Sequence, residues 1–225
     1  MAIVLPHSDW PTLPYLETIQ RTSEQEAKVA THARGRSEYA HVAIRIEPSP
    51  IGTGVKFENR AGASIPDRFV SSIQSGVTES LRKGPIMGAE ITDIVVTLTN
   101  GSYHEQDSNE RAFQSASRNA LEKAVLRSMP VLLEPIMRVQ VTVSEEFVGE
   151  LSNEITRRRG EVKGMEAKGD ICELDFWLPL SEAAGLTRFA SGLSFGQSKI
   201  SMQFLRYEKA PSPEPPDGIA VADYT

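Results

Sequence analysis

Lys28, His32, Arg34 and Arg36 fall within nine residues, with Tyr39 close behind, and they make the most chemically suggestive segment of this sequence. Arginine forks grip phosphates through two parallel hydrogen bonds, and aromatic rings stack on unpaired bases. That is the chemistry of RNA contact. The same residues also suit a solvated hairpin with scattered charge. A second segment, Gly101-Ser102-Tyr103-His104-Glu105, places a histidine in a turn just ahead of a helix start. A single histidine can act as a general acid or base. Here no nucleophile and orienting group stand beside it in sequence. The string His104-Glu105-Gln106-Asp107-Ser108 lacks the second histidine of a metalloprotease helix. No residue is therefore assigned to catalysis, and the plain reading of His104 is a surface-loop histidine.

Composition narrows the setting. The chain has 225 residues, 40% of them hydrophobic and 24% charged, which is ordinary for a globular protein. The lone Cys172 excludes an internal disulfide framework, and its place in a strand pattern suits an inert core residue. No Cys/His cluster is spaced to hold structural zinc, so no metal and no cofactor are expected. No apolar run approaches the ~18 residues of a membrane helix. The opening MAIVLP lacks the basic and long apolar regions of a signal peptide, so the expected compartment is the cytosol, with no membrane partner. The net charge of −6, taken alone, disfavours RNA. It is unevenly spread: residues 1–130 carry 14 basic against 15 acidic side chains, and residues 131–225 carry 10 against 15. Overall charge governs solubility and steering and leaves room for a local basic tip.

The elements that must position these residues follow from periodicity. Residues 1–14 hold three prolines without a pattern and read as an arm. Residues 15–31 read as two extended segments around a polar turn at 22–25. His41–Glu47 alternates, with Val42, Ile44 and Ile46 on one face of a strand. Gly52-Thr53-Gly54 is a turn, and Val55–Asn59 a short strand. Ser64 as N-cap, Pro66 in the first turn and the stripe Phe69, Val70, Ile73, Val77, Leu81 predict a helix that ends at Gly84-Pro85. A β-branched strand at 91–98 and a turn at Asn100-Gly101 follow. Asp107 and Glu110 suggest a capping box for a long helix to about Arg127. Residues 131–137 read as a link. After it come a strand (137–143), a helix (145–159) with Gly160 just past its end, a hairpin (162–167 and 171–178), a helix (181–193) and a strand (199–207). In that hairpin, Phe176 and Trp177 alternate, so at least one must be core. The order βαββαβ is the ferredoxin-like split pattern. Arg157-Arg158-Arg159 suits a helix C-terminus as well as it suits RNA. The proline-rich residues 209–225 read as a disordered tail.

Several strings, in order, resemble a known family. They are Tyr15–Ile19 (YLETI), Gly35-Arg36 with Tyr39 and His41, Gly101–Glu105 through Asp107-Ser108, Pro130–Met137 (PVLLEPIM), and Arg158-Arg159-Gly160 with Gly164-Met165. Together they resemble the C-terminal third of translation elongation factor G, its domains four and five, from about Pro11 to Tyr207. The resemblance implies an α+β chain of two domains. Residues 15–130 would form a ribosomal-protein-like βαβ domain with a left-handed crossover, and residues 131–208 a ferredoxin-like domain. It also implies a non-catalytic ribosome- and RNA-binding protein acting in translation, whose domain-four arm reaches transfer RNA and messenger RNA at the decoding centre. The implied tip is His32, Arg34, Gly35, Arg36 and Tyr39 from one loop, with Ser102, Tyr103, His104 and Glu105 from the other. Glu134 is expected at a domain interface.

The sequence departs from the family at three points. Arg34, Ser37 and Ala40 stand where the family's tip loop has glycine, which changes the backbone conformations open to it. Ser194-Phe195-Gly196-Gln197 replaces a family string ending in arginine. No GxxxxGK[ST] phosphate loop occurs, so GTP hydrolysis is not expected of this chain. The alternative implied role is an arm subunit working in trans with a separate GTPase protein.

Overall fold

A computed structural model describes residues 13–33, 36–193 and 199–211, the side chains of Ala33, Arg36, Thr187 and Ser191 excepted. The expected N-terminal arm up to residue 12, the string Ser194–Gln197 and the expected tail from residue 212 lie outside the described residues. The described chain divides into two units. One holds Leu16–Leu133 and the residues from Lys209 onward, and the other holds Glu134–Glu208 with the residues just before Leu16.

The first unit begins with β1 (Leu16–Ile19), β2 (Ser23–Ala33), β3 (Arg36–Pro48) and β4 (Val55–Asn59), followed by α1 (Asp67–Leu81). Then come β5 (Glu90–Ile91), β6 (Ile94–Ser102), α2 (Glu110–Arg127) and the start of β7 (Pro130–Ser144). The main sheet has the order β2-β3-β6-β4, with β4 and β6 parallel and α1 lying between them in sequence, a βαβ step. Alternation explains which face is covered. Ala27, Ala40, Val42, Ile44 and Ile46 turn inward and are buried with Phe69, Ile73 and Val77 of α1 and Phe113, Ala116 and Leu121 of α2. Phe69 stacks on Phe113 with ring centroids 4.6 Å apart. Burial of each large apolar side chain contributes about 1.5–3 kcal/mol, so this face holds the sheet to its helices. Strand β1 pairs in parallel with β5 and antiparallel with the first four residues of β7.

Several local expectations are corrected here. The turn after β1 is at 20–22, where Gln20 and Arg21 both donate to the Ser128 carbonyl. Ser64 does not cap α1: it closes a short 3-10 turn through its hydroxyl to the Ala61 carbonyl, and Pro66 is the cap residue. Asn109, rather than an Asp107–Glu110 box, caps α2, its side chain accepting from the Ala112 N–H at 2.9 Å. Asn100-Gly101 is no turn. It lies inside β6, where pairing passes from Ile44↔Leu98 to Ala43↔Asn100 and Thr99 becomes the extra residue of a bulge. Gly101 is required there because a Cβ would overlap the His41 carbonyl and Ile65. The expected strand at 91–98 is interrupted by Asp93, whose φ is 58° and whose carboxylate accepts the Gly54 N–H at 2.8 Å. Residues 131–137 are strand, not link.

The second unit continues β7 and adds α3 (Val148–Arg157), β8 (Glu161–Lys168), β9 (Ile171–Pro179), α4 (Leu180–Leu193) and β10 (Lys199–Lys209). Its sheet order is β8-β9-β7-β10, with β7–β9 and β8–β9 antiparallel. This is the ferredoxin-like βαββαβ arrangement. Leu151, Ile155, Leu174, Phe176, Leu178 and Leu186 form its core, and Cys172 is buried among them. The helix before β8 is shorter than expected, preceded by a 3-10 turn at Glu145–Phe147. The left-handed residue past its end is Arg159, with φ 62°, rather than Gly160. The chain is thus α+β with two sheets.

Candidate nucleic-acid interface

The β2–β3 hairpin supplies one side of the interface. Its register sets Lys28 opposite His41, Ala30 opposite Tyr39 and His32 opposite Ser37. Since Ala27, Ala40 and Val42 are turned into the core, period-2 alternation sends Lys28, His32, Ser37, Tyr39 and His41 to the other face. His32 Nδ1 lies 2.8 Å from the Ser37 hydroxyl. Arg34 and Gly35, at the turn, lie outside the described residues, and Arg36 is placed by its backbone pairing with Ala33.

The β6–α2 loop supplies the other side, and it is tied to Tyr39. The Tyr39 N–H donates to the Asp107 carbonyl at 2.9 Å, and the Ser108 hydroxyl donates to the Tyr39 carbonyl at 2.7 Å. Within the loop, the His104 N–H donates to Ser108 Oγ and the Ser108 N–H to the His104 carbonyl. The result is a stack. The Tyr39 ring lies on the His104 imidazole with centroids 4.0 Å apart and planes 19° from parallel. Lys28 Nζ lies 5.0 Å from the Tyr39 centroid. Asp107 Oδ2 is 3.7 Å from His104 Nδ1, and the His104 side chain remains 58% exposed.

Beneath the stack runs a chain of polar groups across three strands. The Tyr39 hydroxyl is 2.8 Å from Ser102 Oγ, which is 3.5 Å from His41 Nδ1, and His41 Nε2 is 3.0 Å from Glu26 Oε2. The order carboxylate, imidazole, hydroxyl is also that of a hydrolase relay. Here the Ser102 hydroxyl is engaged by Tyr39, so the chain ends in a phenol packed beside His104 and works as a support.

Of the residues singled out in the sequence, Tyr39, Ser102 and His104 are brought together. His32 sits nearer the turn, Glu105 is exposed, and Tyr103 is half-buried against the core. Sequence reasoning missed Glu26, His41, Asp107, Ser108 and Asn109 as working parts. The signal for His41 was present: it is two residues from Tyr39 and shares its face. Ser108 stands in a string that carries the resemblance, but its bond to Tyr39, 69 residues away, has no signal in the sequence.

The second unit's arginine run is committed to ion pairs. Arg157 and Arg158 both bind Glu154, at 2.5 and 2.7 Å, and Arg159 grips Glu134 with contacts of 2.6 and 3.1 Å. Hydrogen bonds from Arg157 hold the Glu154 carboxyl below the usual carboxylate range, and Glu134 raises the Arg159 guanidinium further. Glu134 is thus paired with Arg159 inside its own unit. Trp177 is held by two cations, Lys163 Nζ at 3.9 Å and the Arg206 guanidinium at 4.3 Å from its ring. Among the described residues, no group of three or more His, Cys, Asp or Glu side chains is gathered to hold a metal ion. No described helix is long and apolar enough to cross a membrane.

Comparison with known proteins places both units. The family model described as elongation factor G, domain IV, matches residues 11–129, and the model described as elongation factor G C-terminus matches residues 131–217. Among solved structures, a crystal structure of a protein from Thermus thermophilus is similar, with 33% sequence identity and a TM-score of 0.78. The match covers 90% of this chain and 30% of that one, so the chain spans under a third of the length of the protein it resembles.

Proposed function

Because the chain belongs to the elongation factor G family through its domain IV and C-terminal domain, we propose that it is a non-catalytic ribosome- and RNA-binding arm acting in translation. Its partners are the ribosome and the transfer and messenger RNA at the decoding centre, in the cytosol. The contact surface is the tip: His32, Arg34, Gly35, Arg36 and Tyr39 from the hairpin, with Ser102, Tyr103, His104 and Glu105 from the β6–α2 loop.

The observation that carries this reading is the fastening of the two loops. Residues more than 60 positions apart are hydrogen-bonded into one surface, with His104 exposed on it and Lys28 against the Tyr39 ring. A contact surface held in place before binding loses less entropy on binding than two independent loops. Arginine and lysine supply the phosphate attraction and the imidazole supplies a stacking face. Phosphate attraction through these cations makes the binding salt-sensitive.

Ribosome cosedimentation across a salt series tests the reading. For three phosphate contacts to single-stranded RNA, log K falls with log salt at a slope of roughly −2. Arg34→Ala/Arg36→Ala flattens that slope and lowers the bound fraction. Binding that ignores both salt and this double substitution overturns the tip as the contact surface. A second reading has the chain as an arm subunit acting in trans with a separate GTPase protein. A pull-down that returns a GTPase supports it. Ribosome affinity unchanged by adding that protein counts against it.

A further inference from the structure

The stack at the tip has an order, and the order assigns roles. A ring 4.0 Å away and 19° from parallel covers one face of Tyr39. Lys28 comes from β2 and His104 from the end of β6, on opposite sides of β3, so the ammonium 5.0 Å over the same centroid approaches the other face. A base stacking on Tyr39 would first have to displace His104 or Lys28. The tyrosine hydroxyl is also occupied, by Ser102, and through it joined to His41 and Glu26. Its backbone N–H and carbonyl are both taken by the β6–α2 loop. Every recognition group of Tyr39 is thus spent within the protein.

We infer that Tyr39 is a positioning residue. It holds the His104 imidazole against the hairpin and leaves the outer face of that imidazole open as a stacking surface for an unpaired nucleobase. Tyr103 packs half-buried against the core. The polar chain Glu26–His41–Ser102 fixes the phenol from below, so the imidazole rests on a platform built across three strands. This inference rests on the proposal that the tip contacts RNA, and within the Tyr39–His104 stack it assigns the contact to His104.

Two measurements on the full chain separate the inference from the reading it rests on. The first uses no RNA. The ring current of Tyr39 shifts the His104 imidazole proton resonances upfield, and these are identified by their loss in His104→Ala. Tyr39→Leu moves them downfield to positions typical of an exposed histidine, whereas Tyr39→Phe keeps the stack and the shift. The second measures binding to a short, unstructured, dye-labelled RNA. One base–aromatic stack is worth about 1–3 kcal/mol, so His104→Ala weakens binding on the order of tenfold. Tyr39→Leu costs nearly as much, Tyr39→Phe less than about threefold, and the Tyr39→Leu/His104→Ala pair no more than His104→Ala alone. If the double substitution loses the product of the two single losses, Tyr39 touches RNA itself and the inference is wrong. Unmoved imidazole resonances in Tyr39→Leu overturn it equally. If no substitution changes RNA binding, the RNA reading fails, while the imidazole shift still decides whether Tyr39 positions His104.

Discussion

At the scale of single residues, polar groups that find partners inside the protein explain more of the molecule than free charges do. Glu17 is the clearest case. It is fully buried, and its carboxylate accepts backbone N–H groups from Ile86 at 3.1 Å, Met87 at 2.9 Å and Ala89 at 3.1 Å. The loop between α1 and β5 is wrapped around one side chain of β1. Glu17→Gln keeps the shape but faces part of that nest with an amide donor. An unsatisfied buried group costs about 1–3 kcal/mol. The expected result is a lower urea midpoint with unchanged slope, together with faster amide exchange at residues 86–89. Unaltered exchange there would mean the loop is held by something else. Glu17 lies in the string YLETI, which the sequence marked by resemblance alone; composition gives no hint that its glutamate is buried, because the donors are about 70 residues away. Tyr39 was legible as an aromatic at a basic turn. That its faces are covered was not legible, since the covering histidine comes from another strand's end.

At the scale of elements, periodicity located the strands and helices well wherever one face is buried. The stripe Phe69, Ile73, Val77, Leu81 and the alternation Val42, Ile44, Ile46 are both core in the structure. Boundaries failed where short polar side chains compete for backbone groups. Ser64, Asp107 and Asn109 are all suitable caps, and only the fold decides that Asn109 meets the Ala112 N–H. Asn100-Gly101 failed for a related reason: a bulge and a tight turn both need a glycine beside a polar residue. The packing of α1 on α2 makes its own prediction. Gly76 faces α2 so closely that a Cβ would overlap Ser117 Oγ and the Gln114 carbonyl. Gly76→Ala therefore destabilises the chain by roughly 1–3 kcal/mol, although alanine is the better helix former. Chemical denaturation checks it, and a neutral or stabilising outcome would show that the two helices can separate at little cost.

For the whole molecule, the negative charge that taken alone disfavours RNA is mostly elsewhere. Residues 131–225 carry 15 acidic against 10 basic side chains, and the arginine run of the second unit is consumed by Glu154 and Glu134. In the first unit Lys28 and His104 flank Tyr39, and the sequence adds Arg34 and Arg36 between and at the start of the flanking strands, the groups on which the proposed contact with RNA draws. The order βαββαβ made the second unit's fold readable from sequence. The first unit was readable mainly through its resemblance, because its parallel β4–β6 pair is separated by a helix, a short strand and two loops. The central claim is that the far ends of β2–β3 and β6 meet RNA at the decoding centre. Site-directed photo-crosslinking on ribosomes tests it most directly, with the crosslinker at Glu105 in the tip loop or at Asn119 on the exposed side of α2. RNA contact at the tip gives adducts from position 105 to messenger RNA, transfer RNA or small-subunit RNA, lost at high salt and in Arg34→Ala/Arg36→Ala, with few from position 119. RNA adducts of equal yield from both positions, or none from position 105 on ribosomes that carry the chain, would contradict it.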